Sequence, residues 1–309
     1  RGLGDVYKRQ KDSLPETFIA KSPANDQASR DTARNLNLYE IETSFYRHLS
    51  SRCSARVPDV FYSEYDSSSK DGTIFLEDMH PAKLIPQMNG CSEIEVKKIL
   101  KEAAALHKSF WNDEKLLTYP WLTYSVSEDR KKFVADLLPV VYPEWKRRYK
   151  GRINEEIFDM GDELIANYEK YSEVNAGPMT LVQGDLRLDN ILFDDENNAA
   201  ILLDWQTASI GLPLNDIAYC ISTSFADPQE RATFEESLVK EYYDQLGVNN
   251  IYSYEDAWND YRRGSFVGFI MAVMSSMIVE RTERGDEMFA VMAERSGWQA
   301  LHLEALIFL

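Results

Sequence analysis

The sequence has few cysteines, few histidines and no long uninterrupted apolar run. Its three cysteines, Cys53, Cys91 and Cys220, are odd in number and widely separated. They match neither a zinc-ligand pattern nor a disulfide framework, so they read as buried free thiols in a reducing, cytoplasmic setting. The most apolar stretch, residues 266–279, falls short of the roughly 20 residues that span a bilayer. It carries Gly268, Ser275 and Ser276 and is flanked by charges, so it reads as a buried core helix, with no membrane partner expected. No secretory leader pattern, internal repeat or low-complexity tract is visible. Positive charge is also scarce. Thirty-four Lys and Arg face 51 Asp and Glu, for a net charge of −17, and such a surface repels phosphate backbones, which argues against nucleic acid as a partner. The chain does not open on methionine. Residues 1–10 look like translated adapter sequence, and the expectation is that they are not native and that coding sequence upstream is missing.

What is present is ordinary for a globular protein: 44% hydrophobic and 28% charged residues in 309, enough for two lobes. Residues 17–21 read as a strand stopped by Ser22-Pro23. A helix is expected over roughly 29–50, with Leu38, Ile41, Phe45 and Leu49 at helical spacing. Glu42 falls on or beside that inward stripe, where a carboxylate needs a partner or a proton. Strands are expected at 57–62 and 73–77, joined by a polar turn over 66–72. Ser92 and Glu95 form a capping box for a helix whose apolar face is Ile94, Ile99, Ala103, Leu106 and Phe110. From here the chain turns mostly helical, and a boundary near 79–90 divides a lobe over 11–80 from one over 81–309. Beyond Asp216 the pattern is helical to the end, punctuated by Asp227-Pro228, Gly247 and Ser253.

The chemistry concentrates between residues 181 and 206. An apolar segment, Leu181-Val182, leads into Gln183-Gly184-Asp185, and Asn190 follows five residues after Asp185. Residues 191–193 and 200–203 form a hairpin around a turn at 194–198, which brings Asn190 and Asp204 to one end, near Asp185. Phosphoryl transfer needs this set: one carboxylate to orient a hydroxyl and accept its proton, and a hard-oxygen pair to hold Mg²⁺ against phosphates. Asp189, Asp194 and Asp195 read as turn caps. Arg187 suits either a phosphate contact or a salt bridge. Trp205 reads as packing, and His107 as a packed helix-end histidine.

These residues carry a resemblance. Residues 181–193, 203–206 and 216–219 resemble the aminoglycoside phosphotransferase and choline kinase superfamily, and within it the ecdysteroid-kinase-like group, also called CHK-kinase-like. Residues 18–21, 42–46, 75–79 and 106–111 agree with it. The resemblance implies an α+β, protein-kinase-like fold of two lobes, a small N-lobe with an antiparallel sheet and a larger, mainly helical C-lobe. It implies ATP and Mg²⁺ as cofactors and a small hydroxyl-bearing molecule as substrate. Asp185 would be the catalytic base, and Asn190 and Asp204 the metal ligands. Lys21 would meet the ATP phosphates, held by Glu42. The backbone of Glu77, Asp78 and Met79 would hold adenine, and Asp216 would brace the catalytic loop. Two departures stand out. Gln183 occupies the usual histidine position, and the segment before Lys21 is too short for the strands and phosphate-covering turn of the fold, so a truncated N-lobe is expected. A binding protein without turnover is the alternative. A metal-dependent hydrolase is disfavoured, because no histidine accompanies the carboxylates.

Overall fold

A computed structural model describes residues 15–125, 127–173 and 177–309; the adapter-like segment over 1–10 lies outside the described residues. Strand β1 (Phe18–Lys21) precedes helices α1 (Gln27–Asn35) and α2 (Leu38–His48), then strands β2 (Val60–Asp66) and β3 (Asp71–Glu77). The three strands form an antiparallel sheet in the order β1-β3-β2, with Phe18 opposite Glu77 and Lys21 opposite Ile74. The helix expected over 29–50 is two helices. Asn37 breaks it with a left-handed backbone, φ 57°, which asparagine tolerates better than most residues. Strand β2 starts later than expected, beyond Pro58, and runs on to Asp66, so the turn shrinks to residues 67–70. Proline has no N–H to give a ladder.

The remainder comprises β4 (Lys83–Leu84), α3 (Glu93–Ser109), α4 (Glu128–Tyr149), α5 (Glu155–Ala166), α6 (Tyr168–Glu173), β5 (Thr180–Val182), β6 (Ile191–Asp194), β7 (Ala199–Leu202) and β8 (Ser209–Gly211), followed by α7 (Pro213–Ser224), α8 (Pro228–Leu246), α9 (Tyr254–Gly264), α10 (Phe266–Ile278) and α11 (Glu283–His302). The capping box of Ser92 and Glu95 opens α3. Of its expected inward stripe, Ile99, Ala103, Leu106 and Phe110 are buried, joined by Val96 and Leu100, while Ile94 in the first turn is 64% exposed. Asp227 caps α8 with Pro228 in its first turn, Gly247 ends it at φ 70°, and Ser253 caps α9. The 266–279 run becomes the core helix α10, and no helix among the described residues is long and apolar enough to cross a membrane.

The architecture is α+β, with small antiparallel sheets and a mostly helical remainder. One hydrophobic core runs from Ile41 and Phe45 on α2, through Leu186, Ile191 and Trp205, to Tyr242 on α8. Phe45 and Trp205 stack at 3.7 Å with a 9° interplanar angle, so the α2 segment shares its packing with the hairpin segment. A second core, around Trp145, joins α4, α5, α10 and α11.

Candidate active site

Strand β5 pairs with β8, Val182 opposite Ser209, and delivers the chain into the loop that begins at Gln183. Gly184 is required there. It sits at φ 82°, and a Cβ would meet the Thr207 carbonyl oxygen at 2.5 Å. Asp216, in the first turn of α7 and 4% exposed, accepts hydrogen bonds from Gln183 N at 2.7 Å and Gly184 N at 3.1 Å. His107, fully buried, places Nε2 3.6 Å from the same carboxylate and bonds Tyr242 through Nδ1 at 2.8 Å. Gln183 is also fully buried. Its amide nitrogen donates to the carbonyls of Leu203 (3.0 Å) and Asp204 (2.7 Å), and its oxygen accepts from Asp185 N at 2.7 Å. One side chain therefore fixes the Asp185 loop to the Asp204 loop.

Asp185 accepts four hydrogen bonds from three donors. Arg187 Nε reaches Oδ1 and Oδ2 at 3.0 and 3.1 Å, Tyr219 OH reaches Oδ1 at 2.8 Å, and Asn190 Nδ2 reaches Oδ2 at 2.8 Å. Burial pushes its carboxyl above the usual range, with Arg187, Tyr219 and Asn190 opposing the shift. Asn190 Nδ2 also donates to the Asp185 carbonyl at 2.9 Å. Both partners are acceptors, which fixes the amide orientation and leaves Asn190 Oδ1 without a partner among the described residues. The hairpin of β6 and β7, with Ile191 opposite Leu202 and Leu203 N donating to Asn190 O at 2.9 Å, brings Asp204 beside it. Asp204 adopts φ 56°, and its side chain is 39% exposed. An unpartnered amide oxygen beside an open carboxylate is a donor set that fits Mg²⁺, a hard cation that keeps several waters.

Lys21 extends from the end of β1 to Glu42 on α2 at 2.5 Å and stands 3.8 Å from Asp204. Glu42 is 2% exposed; burial raises its carboxyl, Lys21 opposes that, and Asp204 adds to it. Gln206 Nε2 approaches the other Glu42 oxygen at 3.4 Å. Lys21, Glu42, Glu77, Asp78, Met79, Asn190 and Asp204 all line one cleft of about 480 Å³, walled by Ile19, Leu76, Leu192 and Leu203. Asp185 does not line it and is joined to it through Asn190. Glu77 serves the scaffold. Its N–H donates to the Asp59 carbonyl at 2.8 Å, and its carboxylate takes Arg56 and Asp59 N. Asp78 Oδ1 accepts from His80 N, and the N–H of Met79 has no partner among the described residues.

Of the expected turn caps, Asp194 accepts from Glu196 N and Asn197 N, Asp195 pairs instead with Lys83, and Asp189 reaches beyond its own turn. It accepts from Gln87 N at 3.0 Å and from Arg187 Nη1 at 2.9 Å. Sequence reasoning missed Gln87 and the hydrogen bond of Tyr219. Gln87, 1% exposed, accepts from Leu188 N at 2.8 Å and donates to the Thr223 carbonyl at 2.7 Å. Arg295, on α11, donates to the carbonyls of Gln87, Met88 and Thr223. Nothing local in the sequence marks Gln87. Tyr219 is three residues after Asp216, on the neighbouring turn of α7, and that spacing was the available signal.

A sequence model of the ecdysteroid kinase-like family matches residues 5–251. Acyl-CoA dehydrogenase family member 10 of Mus musculus is 28% identical over 175 residues, covering 53% of this chain and 16% of that protein, so the chain spans about a sixth of this relative's length. Among solved structures, the GDP complex of wild-type aminoglycoside 2'-phosphotransferase-IIIa aligns with a TM-score of 0.55 at 13% identity, over 91% of this chain and 86% of that one. The microcompartment-associated aminopropanol kinase aligns with a TM-score of 0.54 at 14% identity, over 91% and 83%. At such identities the likeness establishes the fold, which is that of the protein-kinase-like phosphotransferases.

Proposed function

The chain belongs to the ecdysteroid kinase-like family, and from that membership we propose that it transfers the γ-phosphoryl group of ATP to a hydroxyl of a small molecule. The observation that carries this reading is that Lys21, Glu42, Asn190 and Asp204 line a single cleft, with Asp185 bonded to Asn190. On this reading the segments over 11–80 and 81–309 act as two lobes, and nucleotide lies between them. The N–H of Met79, without a partner among the described residues, holds adenine. Lys21, fixed by Glu42, binds the phosphates. Asp185, held by Asn190 and Tyr219, accepts the proton of the attacking hydroxyl. Asn190 Oδ1 and Asp204 would hold Mg²⁺, which neutralises charge on the phosphates when bound. The raised carboxyl of Asp185 suits a proton acceptor. The full bonding of Gln183 supplies the orienting contacts that its replacement of histidine put in question. The acidic surface and free thiols suit a cytoplasmic enzyme that avoids nucleic acid.

The test is ATP consumption with Mg²⁺ across a panel of alcohols, comparing the chain with Asp185→Asn. A loss of about 10²-fold or more is expected on removal of a general base; equal consumption by both would sink the assignment. One observation favours a second reading, nucleotide binding without turnover: Arg187 already occupies both oxygens of Asp185. That reading predicts ATP binding with no consumption on any alcohol.

A further inference from the structure

Arg187 lies two residues past Asp185, and its guanidinium is used unevenly. Nε donates to both Asp185 oxygens. Nη1 donates to Asp189 Oδ2 at 2.9 Å and meets the Met288 sulfur at 3.3 Å, a weak acceptor. Nη2 donates to no group among the described residues, and the side chain keeps 16% of its surface open. An arginine placed only to fix a loop would have its fork satisfied. This one leaves donors free beside the carboxylate where the chemistry is placed.

The two carboxylates do not depend on Arg187 for their position. Asp185 is held independently by Asn190 and Tyr219, and Asp189 by Gln87 N. The guanidinium therefore adds charge and unsatisfied donors at a place where anchoring is already complete. Planar, weakly hydrated guanidinium with open N–H groups suits a group with several anionic oxygens. A residue hydrogen-bonded to the base is also within a few ångströms of any phosphorus atom attacked by a hydroxyl resting on that base.

We propose that Arg187 is a catalytic residue that engages the transferring phosphoryl group through its Nη edge, an arginine finger carried by the catalytic loop itself. The proposal rests on the phosphotransfer reading. As the hydroxyl oxygen bonds to Pγ, the bond from Pγ to the oxygen bridging to the β-phosphate breaks, and ADP leaves with that electron pair. The hydroxyl proton passes to Asp185. Arg187 neither gives nor takes a proton; it stabilises the charge spread over the equatorial oxygens. Engaging them draws it from Asp185 and leaves a carboxylate lone pair for the hydroxyl. The contact that favours the second reading is thus the resting state of a working site.

The test needs no known acceptor. The full chain, Arg187→Met and Arg187→Lys are titrated with ADP and Mg²⁺, then with ADP, Mg²⁺ and aluminium fluoride as a mimic of the transferring group. The wild-type chain is expected to bind the fluoride complex roughly a hundredfold tighter than ADP, as transition-state mimics do. Arg187→Met is expected to bind ADP within about twofold of wild type and to lose most of that gain, and Arg187→Lys, a cation without the fork, to keep part of it. If Arg187→Met fails to fold, Arg187→Lys alone decides, since an undiminished gain in it overturns the fork's role. A full gain in Arg187→Met overturns the assignment of Arg187 and leaves the phosphotransfer reading standing. A wild-type chain that binds no ADP overturns both.

Discussion

The Gln183 side-chain amide donates to the Asp204 carbonyl at 2.7 Å while its oxygen accepts from Asp185 N at the same distance. The residue between the two carboxylate-bearing loops is a bracket for both. Replacing Gln183 with Ala leaves two part-buried carbonyls and one N–H without that partner, at up to about 1–3 kcal/mol for each unsatisfied group, not additively. The expected outcome is a clear fall in melting temperature and a drop in kcat of about tenfold or more from loop misplacement. Gln183→His restores one donor and one acceptor and is expected to lie between wild type and Ala in both measurements. An Ala variant with wild-type melting and turnover would remove the bracket role.

Phe45→Ala removes one face of the stack on Trp205, where both rings are fully buried. The expected loss is about 3–5 kcal/mol, read from denaturant midpoints at constant slope. Because one core includes both residues, probes in the sheet region and in the helical region should unfold together in the wild-type chain. Two separated transitions in wild type would contradict that continuity.

Lys21→Met leaves Glu42 buried with its ammonium partner gone, so the burial that raises its carboxyl is no longer opposed by that charge. Weaker ATP binding is expected, by about tenfold in KM, since a charge-assisted phosphate contact is lost. Adding Glu42→Gln should recover stability and not ATP binding. If the double variant recovers ATP binding instead, Lys21 has no direct part in it.

The thiols give a pH prediction of definite sign. Burial pushes Cys220 and Cys53 up to about 12. The thiolate is the reactive form, so native protein at pH 8 should react slowly with an aromatic disulfide reagent, and three thiols should appear on unfolding. In the unfolded chain these groups ionise near pH 8.5, in the folded chain only far above it. Their linkage contribution is therefore constant below about pH 8.5, and stability falls as pH rises from there toward 12. Denaturant midpoints across that range should fall less steeply in Cys220→Ser; an equal slope would mean that Cys220 does not titrate there.

The part of the site that was legible in the sequence is the part whose geometry is local. A fixed spacing from Asp185 to Asn190 and a hairpin to Asp204 set their positions through backbone pairing alone. Glu42 was legible because periodicity put a carboxylate on or beside an inward face, where it needs a partner or a proton, and Lys21 is the partner it has. Gln87 was not legible, because its contact with Leu188 spans 101 residues and depends on tertiary packing. Glu77 lines the cleft, and the bonds of its N–H and carboxylate to the Asp59 and Arg56 segment had no local signal in the sequence. The break at Asn37 and the outward Ile94 show the limit of periodicity, which fixes an apolar stripe and not where a helix pauses or how its first turn faces.

The left-handed backbone at Asp204 narrows what can stand there. Asparagine, aspartate and glycine adopt it with least strain. Of these, only aspartate brings a charge to the cleft, and both alternatives lie one base change away in the genetic code. A gene of this kind thus sits a single step from a lineage that keeps the fold and the cleft while losing that charge. If the proposed metal role of Asp204 holds, active and silent descendants of such a site are expected to differ at this residue long before they differ in architecture.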